Sequence, residues 1–166
     1  MPDAAELKPI WNSSAEQWVV RIEHAIFGPL GLGIETQGRH DEPSDAQLTA
    51  IVDFLHFRND IIDHLPMAVK AYADDWQGLE SFDFLKEEDF NIDLIRSGGV
   101  VPATYDNGRT YVIVHGRSDV DMEHGLACVF FGRREFGITS ADNCMSPPAS
   151  EDYAELEHAL AGRGSN

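Results

Sequence analysis

The spacing of apolar residues changes twice along this chain, and this change limits the possible folds more than any other feature. Between residues 18 and 36 apolar side chains recur at every second position, and Phe27-Gly28-Pro29 divides the run into the two strands of a hairpin. From residue 44 to 76 the spacing is helical, and from 100 to 139 it alternates again. Strand hairpins on both sides of a helical stretch predict an α+β domain.

The helical stretch begins with a recognisable capping pattern. Ser44 can accept from a backbone N–H of the first turn, and Gln47, three residues on, can reach back to the backbone of Ser44. Apolar residues at helical spacing follow up to Leu55 and resume from Ile61. Pro66 lacks a backbone N–H, so it must lie in the first turns of the second helix or kink it. The pattern therefore predicts two amphipathic helices or one bent helix.

Two further hairpins are predicted after the helices. The first spans residues 100–115 around Asn107-Gly108, and the second spans 126–139 around a turn at 132–134. We therefore predict an antiparallel sheet built from hairpins and packed on a two-helix layer. Residues 79–98 fit a short helix and a strand equally well. Residues 1–140 are expected to form a single domain, and 141–166 to form a linker with a short C-terminal helix that Ser150 would cap.

The charge of the chain narrows its possible partners. Twenty-nine acids against 12 bases give a net charge of −17, which repels nucleic-acid phosphates and anionic membrane surfaces. No apolar run approaches the roughly 20 residues that a membrane span needs. Acids at the N-terminus differ from the basic start of a secretory signal, so we expect a cytoplasmic protein. Cys128 and Cys144 lack metal-site spacing, and no cofactor motif is present, so no cofactor is expected.

The acids are concentrated in one stretch. Residues 41–98 hold 14 acids and 4 bases, a net charge of −10. Several aspartates there lie opposite the apolar stripe of the helices, namely Asp45, Asp53, Asp60, Asp63 and Asp74. This acidic face is a candidate binding surface for a basic protein.

A polar loop between two predicted strands is the second candidate site. It contains Asp119, Asp121, Glu123, His124 and Gly125. As a calcium loop it fails, because its sixth place needs glycine and holds a histidine, and its twelfth place needs glutamate and holds a phenylalanine.

Two readings of this loop remain. As a transition-metal site it would need the fold to bring His115, Asp121 and His124 together. The structural interpretation is that Asp119 and Asp121 cap a turn, with Glu123 and His124 pairing locally and Gly125 in a left-handed conformation. The structural interpretation is favoured because it uses residue chemistry that any tight loop needs.

The stretch from Asp121 to Leu126, followed by Phe130-Phe131-Gly132, resembles a group of small bacterial domains. Their pattern is an N-terminal hairpin, a helical pair opened by a glutamine-containing turn, and an acid-Glu-His-Gly loop before a closing strand. Several of these families look like immunity proteins, which neutralise a toxin by binding it. The resemblance implies a non-enzymatic protein-binding domain whose partner is a basic protein such as a toxin.

Two other functions stay open at this stage. The first is a small metal-dependent enzyme with its site at Asp121, Glu123 and His124. The second is a homo-oligomer that self-associates through an exposed sheet edge.

Overall fold

The computed structural model describes residues 4–38, 41–75, 90, 92–105, 107–144 and 153–161. Within these ranges the chain forms seven strands and three α-helices. In chain order they are β1 (Ile10–Asn12), β2 (Gln17–His24), β3 (Gly28–Ile34), α1 (Asp45–Leu55), α2 (Ile61–Asp75), β4 (Asp93–Val101), β5 (Val112–Arg117), β6 (Leu126–Phe131), β7 (Glu135–Ser140) and α3 (Tyr153–Ala161).

The described strands form one sheet in the order in which they occur along the chain. Every neighbouring pair is antiparallel except β3 and β4, which run parallel with Leu32 opposite Gly99 and Ile34 opposite Val101. The α+β class is thus confirmed, but the prediction of a purely antiparallel sheet is wrong. The reason is the α1–α2 connection, which returns the chain to the end of the sheet where β3 began and so makes β4 parallel to it.

The helical stretch forms two helices, as one of the two predictions had it. Ser44 caps α1: its hydroxyl accepts from the Gln47 N–H at 3.3 Å, and the Gln47 side-chain oxygen accepts from the Ser44 N–H at 3.0 Å. Pro66 lies inside α2. Ile51, Phe54 and other apolar residues of this layer pack in the larger core, against one face of the sheet.

The first and third predicted hairpins are confirmed as β2–β3 and β6–β7. The second prediction is right about antiparallel pairing and about the turn, where Gly108 has φ +77° and its N–H donates to the Tyr105 carbonyl at 2.8 Å. The strands themselves are β4 and β5, and they stop further from this turn than predicted. Pro102 directly follows the end of β4. Because proline has no N–H to donate to a sheet ladder, it marks the end of regular pairing there.

The opposite face of the sheet is covered by α3. This second helical layer was not predicted, because the predicted helix layer contained only the two central helices. Leu156 and Leu160 of α3 are buried in a second core with Tyr111, which precedes β5, and with Ile113 of β5 and Val129 of β6. Because both faces of the sheet are covered here, β6 is apolar at every position, and β5 is apolar over its first three residues. The docking surface supplies the burial that so short a helix needs.

Some predictions fall outside the described residues. These are the assignment of residues 79–89 and the Ser150 cap of the C-terminal helix. No helix in the described ranges combines the length and the hydrophobicity that a bilayer span requires.

Candidate functional site

The predicted acidic face lies on the outer side of α1 and α2. Asp45 is exposed in the first turn of α1, and Asp63 is exposed in the first turn of α2. Asp60 is exposed just before α2, whereas Asp53 is half-buried. Residues 41–75 hold eight acids against two bases, a net charge of −6. The layer is therefore strongly anionic over its solvent side.

Arginines within the protein already bind two of these four aspartates. Arg133, in the β6–β7 turn, donates from Nε to Asp53 Oδ1 at 2.7 Å. Arg58 donates to both carboxylate oxygens of Asp60, and this contact holds the pKa of Asp60 well below its usual range. No ion pair to Asp45 or Asp63 occurs in the described part of the chain. Of these four aspartates, Asp45 and Asp63 are therefore the two that are open to an external partner.

The polar loop has the geometry of a capped turn. The Asp121 carboxylate accepts from the His124 backbone N–H at 3.0 Å, and the Asp121 carbonyl accepts from the Gly125 N–H at 2.9 Å. Gly125 has φ +76°, and a Cβ there would lie 2.9 Å from the Gly116 carbonyl oxygen. The structural interpretation is confirmed for Asp121 and Gly125.

His124 pairs with acids other than the predicted Glu123. Its Nδ1 lies 3.2 Å from Asp121 Oδ1, and its Nε2 lies 3.7 Å from Asp142 Oδ2, just after β7. Glu123 is exposed. The imidazole thus links the loop to the end of the last strand.

The predicted metal ligands His115, Asp121 and His124 line one cavity of about 670 Å³. A transition-metal site required the fold to bring these three residues together, and the sequence alone could not show whether it does. However, no group of three or more His, Cys, Asp or Glu side chains within the described residues is placed to hold a metal ion. A metal site at these residues is therefore not supported by the arrangement.

Burial sets the electrostatics of the cavity wall. Asp121 is only 6% exposed, and its Oδ2 atom has no hydrogen-bond partner among the described residues. His115 Nε2 is likewise buried without a partner, and burial lowers the pKa of His115. Burial and the Asp121 charge raise the pKa of Tyr72 to about 12. The wall thus combines a buried carboxylate with a neutral imidazole.

Sequence reasoning missed several residues of these two regions. Asp93 and Arg117 line the cavity, and Asp142 contacts His124. The ion pair between Arg58 and Asp60 joins residues two positions apart, so it could have been predicted from the sequence. The Arg133–Asp53 pair joins residues 80 positions apart, and no spacing pattern points to it.

Comparison of the chain with protein-family models, with curated proteins and with solved structures finds no match.

Proposed function

We propose that this chain is a non-enzymatic protein-binding domain of the bacterial cytoplasm. The outer face of α1 and α2 binds a basic surface on a partner protein, in the way that immunity proteins bind toxins. The observation that carries the proposal is the exposure of Asp45 and Asp63, which have no ion-pair partner within the described residues, on a strongly anionic layer.

The internal pairs decide which acids matter most for binding. A partner that approached Asp53 or Asp60 would compete with Arg133 or Arg58 for the same carboxylate. Asp45 and Asp63 are open to a partner without this competition, so they should contribute most to complementarity. An anionic face speeds encounter with a cationic protein and disfavours anionic competitors.

The metal-dependent enzyme is the weaker candidate. Its proposed ligands line one cavity, but the described residues contain no three-ligand group. Binding through the acidic face requires no metal ion. It is also the kind of function, protein binding, that the resemblance implies.

The test begins with recovery of bound proteins from native cytoplasm at low and high salt, followed by association kinetics with the purified partner. We expect the partner to be basic and the association rate to fall as salt rises. The double variant Asp45→Lys and Asp63→Lys should slow association by roughly tenfold or more, because electrostatic steering contributes about 10- to 1000-fold to on-rates.

A matched control separates the acidic face from the overall charge. Glu23→Lys with Glu155→Lys changes the net charge by the same amount at exposed residues of β2 and α3. We expect this control to change the rate only weakly. Salt-independent association, or equal slowing by both double variants, would overturn the proposal.

A further inference from the structure

One edge of the sheet is only half covered by its last strand. β2 pairs with β3 from Trp18 to His24, but β1 pairs with β2 only from Gln17 to Val19. Within the described ranges, residues 20–24 of β2 therefore have no neighbouring strand on the β1 side. We infer that this open edge pairs with the same edge of a second copy of the chain, antiparallel and about a two-fold axis at Ile22.

The chain before β1 leaves the edge open because it turns toward the helix layer. Leu7 packs against the larger core, and the 3-10 helix Ala4–Glu6 contacts α1. The space that remains beside β2 is a cavity of about 690 Å³, whose lining includes Lys8 and Arg21. Alternate residues of a strand direct their N–H and C=O groups to its two sides, so part of the β2 backbone faces this opening and can pair with an added strand.

The side chains of the open stretch alternate between the two faces of the sheet. Val20, Ile22 and His24 are buried toward the helix layer, whereas Arg21 and Glu23 are exposed on the other face. Neither Arg21 nor Glu23 forms an ion pair within the described part of the chain. Both charges are therefore available to a strand that joins the edge.

A two-fold axis at Ile22 makes these two charges complementary. Arg21 of each copy then lies directly opposite Glu23 of the other, and opposite charges on facing residues stabilise an antiparallel pair. A register shifted by two residues would place Arg21 opposite Arg21, or Glu23 opposite Glu23, which is unfavourable. Charged side chains usually discourage pairing at a sheet edge, but here they favour this one register.

The same cavity adds a second positive charge at the contact. Lys8 lines it together with Arg21, on the side that Glu23 of the second copy would approach. The net charge of −17 on each copy opposes association, so the dimer depends on these local contacts and on the backbone hydrogen bonds.

The experiment is sedimentation equilibrium of the full chain, with reductant and at constant ionic strength, over a wide range of concentrations. We expect a reversible equilibrium between monomer and dimer. Arg21→Glu and Glu23→Arg each place like charges opposite one another at both facing pairs, so each should raise the dimer Kd roughly tenfold or more. The double variant restores opposite charges and should return the Kd to within roughly threefold of wild type.

A mixture of the two single variants gives the sharpest readout. Every facing pair between Arg21→Glu and Glu23→Arg chains joins an arginine to a glutamate, so the mixture should form a heterodimer at concentrations where each variant alone is a monomer. Glu23→Arg also makes each copy less acidic, which by itself favours association. Weakening by this variant therefore cannot arise from the overall charge.

Matched controls carry the same charge changes away from the edge. Arg134→Glu lies in the β6–β7 turn and Glu155→Arg lies on α3, both at exposed residues. We expect each control to keep the Kd within roughly threefold of wild type. Because Arg21 and Glu23 are exposed as well, all the variants should fold, and circular dichroism checks this.

Three outcomes would overturn the inference. They are a monomer at every concentration, a dimer whose Kd neither single variant changes, and single variants whose mixture forms no heterodimer. None of them involves the outer face of α1 and α2, so the protein-binding proposal is tested separately. Because Glu23 also belongs to the control of that proposal, the association kinetics are measured at concentrations far below the dimer Kd.

Discussion

Replacing Gln47 by alanine should remove the side chain that joins α1 to the two parallel strands. Gln47 is 2% exposed, and its Nε2 donates to the Glu35 carbonyl at 2.8 Å, the Pro102 carbonyl at 3.1 Å and the Val101 carbonyl at 3.2 Å. These carbonyls lie at the ends of β3 and β4. The same amide completes the Ser44 capping box through its oxygen.

The expected loss follows from these contacts. Two N–H bonds shared among three carbonyls contribute about 2 kcal/mol, at about 1 kcal/mol for each hydrogen bond. Loss of the hydrogen bond from the Ser44 N–H to the Gln47 side chain adds about 0.5–1 kcal/mol to the destabilisation. The cavity left by the shorter alanine side chain adds about 1 kcal/mol. We therefore expect Gln47→Ala to lower the free energy of unfolding by about 3.5–4 kcal/mol, with a melting temperature lower by roughly 10 °C.

The assay is urea denaturation followed by tryptophan fluorescence. Gln37→Ala, at an exposed residue, is the matched control and should change the free energy by less than about 0.5 kcal/mol. Gln47→Glu keeps an oxygen for the Ser44 N–H but places a second oxygen against the carbonyls. Burial raises the pKa of such a carboxyl, and the protonated form can donate one bond. Relative to wild type, this variant should therefore gain stability as the pH falls.

The result for alanine decides whether the reasoning stands. A loss below about 1 kcal/mol for Gln47→Ala, or an equal loss for Gln37→Ala, would show that Gln47 does not hold the strand ends in the way described.

Three other predictions concern packing and titration. Gly137→Ala should cost about 1–3 kcal/mol in urea denaturation, because the new Cβ would lie 2.0 Å from the Ala159 carbonyl oxygen of α3; a loss below about 0.5 kcal/mol would contradict this close contact. His24 is held neutral between the Phe54 carbonyl and two backbone N–H groups, and burial lowers its pKa from 6.5, so wild type should lose stability as the pH falls below 6.5. The difference in unfolding free energy between wild type and His24→Gln should therefore become smaller as the pH falls. A difference that does not change with pH would refute the neutral state of His24. Burial and the Glu157 carboxylate raise the pKa of Tyr111, so Glu157→Gln should lower it in an ultraviolet titration, and an unchanged pKa would refute the contact.

The sequence could predict the parts of the fold that depend on neighbouring residues. The β2–β3 hairpin turns at Gly28, with φ +72°, and the β6–β7 hairpin turns at Gly132, with φ +58°. The α1 cap joins residues three positions apart. In the loop, the capping role of Asp121 and the backbone of Gly125 were predictable for the same reason. Each of these features arises from contacts within a few residues, and residue type and spacing record such contacts directly.

Tertiary structure alone decided the features that join distant segments. The parallel pairing of β3 with β4, the docking of α3 on the second sheet face and the Arg133–Asp53 pair have no local signature. The same holds for the cavity, where Asp93 of β4 meets the loop after β5. The same local elements are compatible with several tertiary packings. The native one is the packing that buries the most apolar surface while keeping the backbone N–H and C=O groups hydrogen-bonded. That choice is made by the whole chain, so a pattern read in short windows does not contain it.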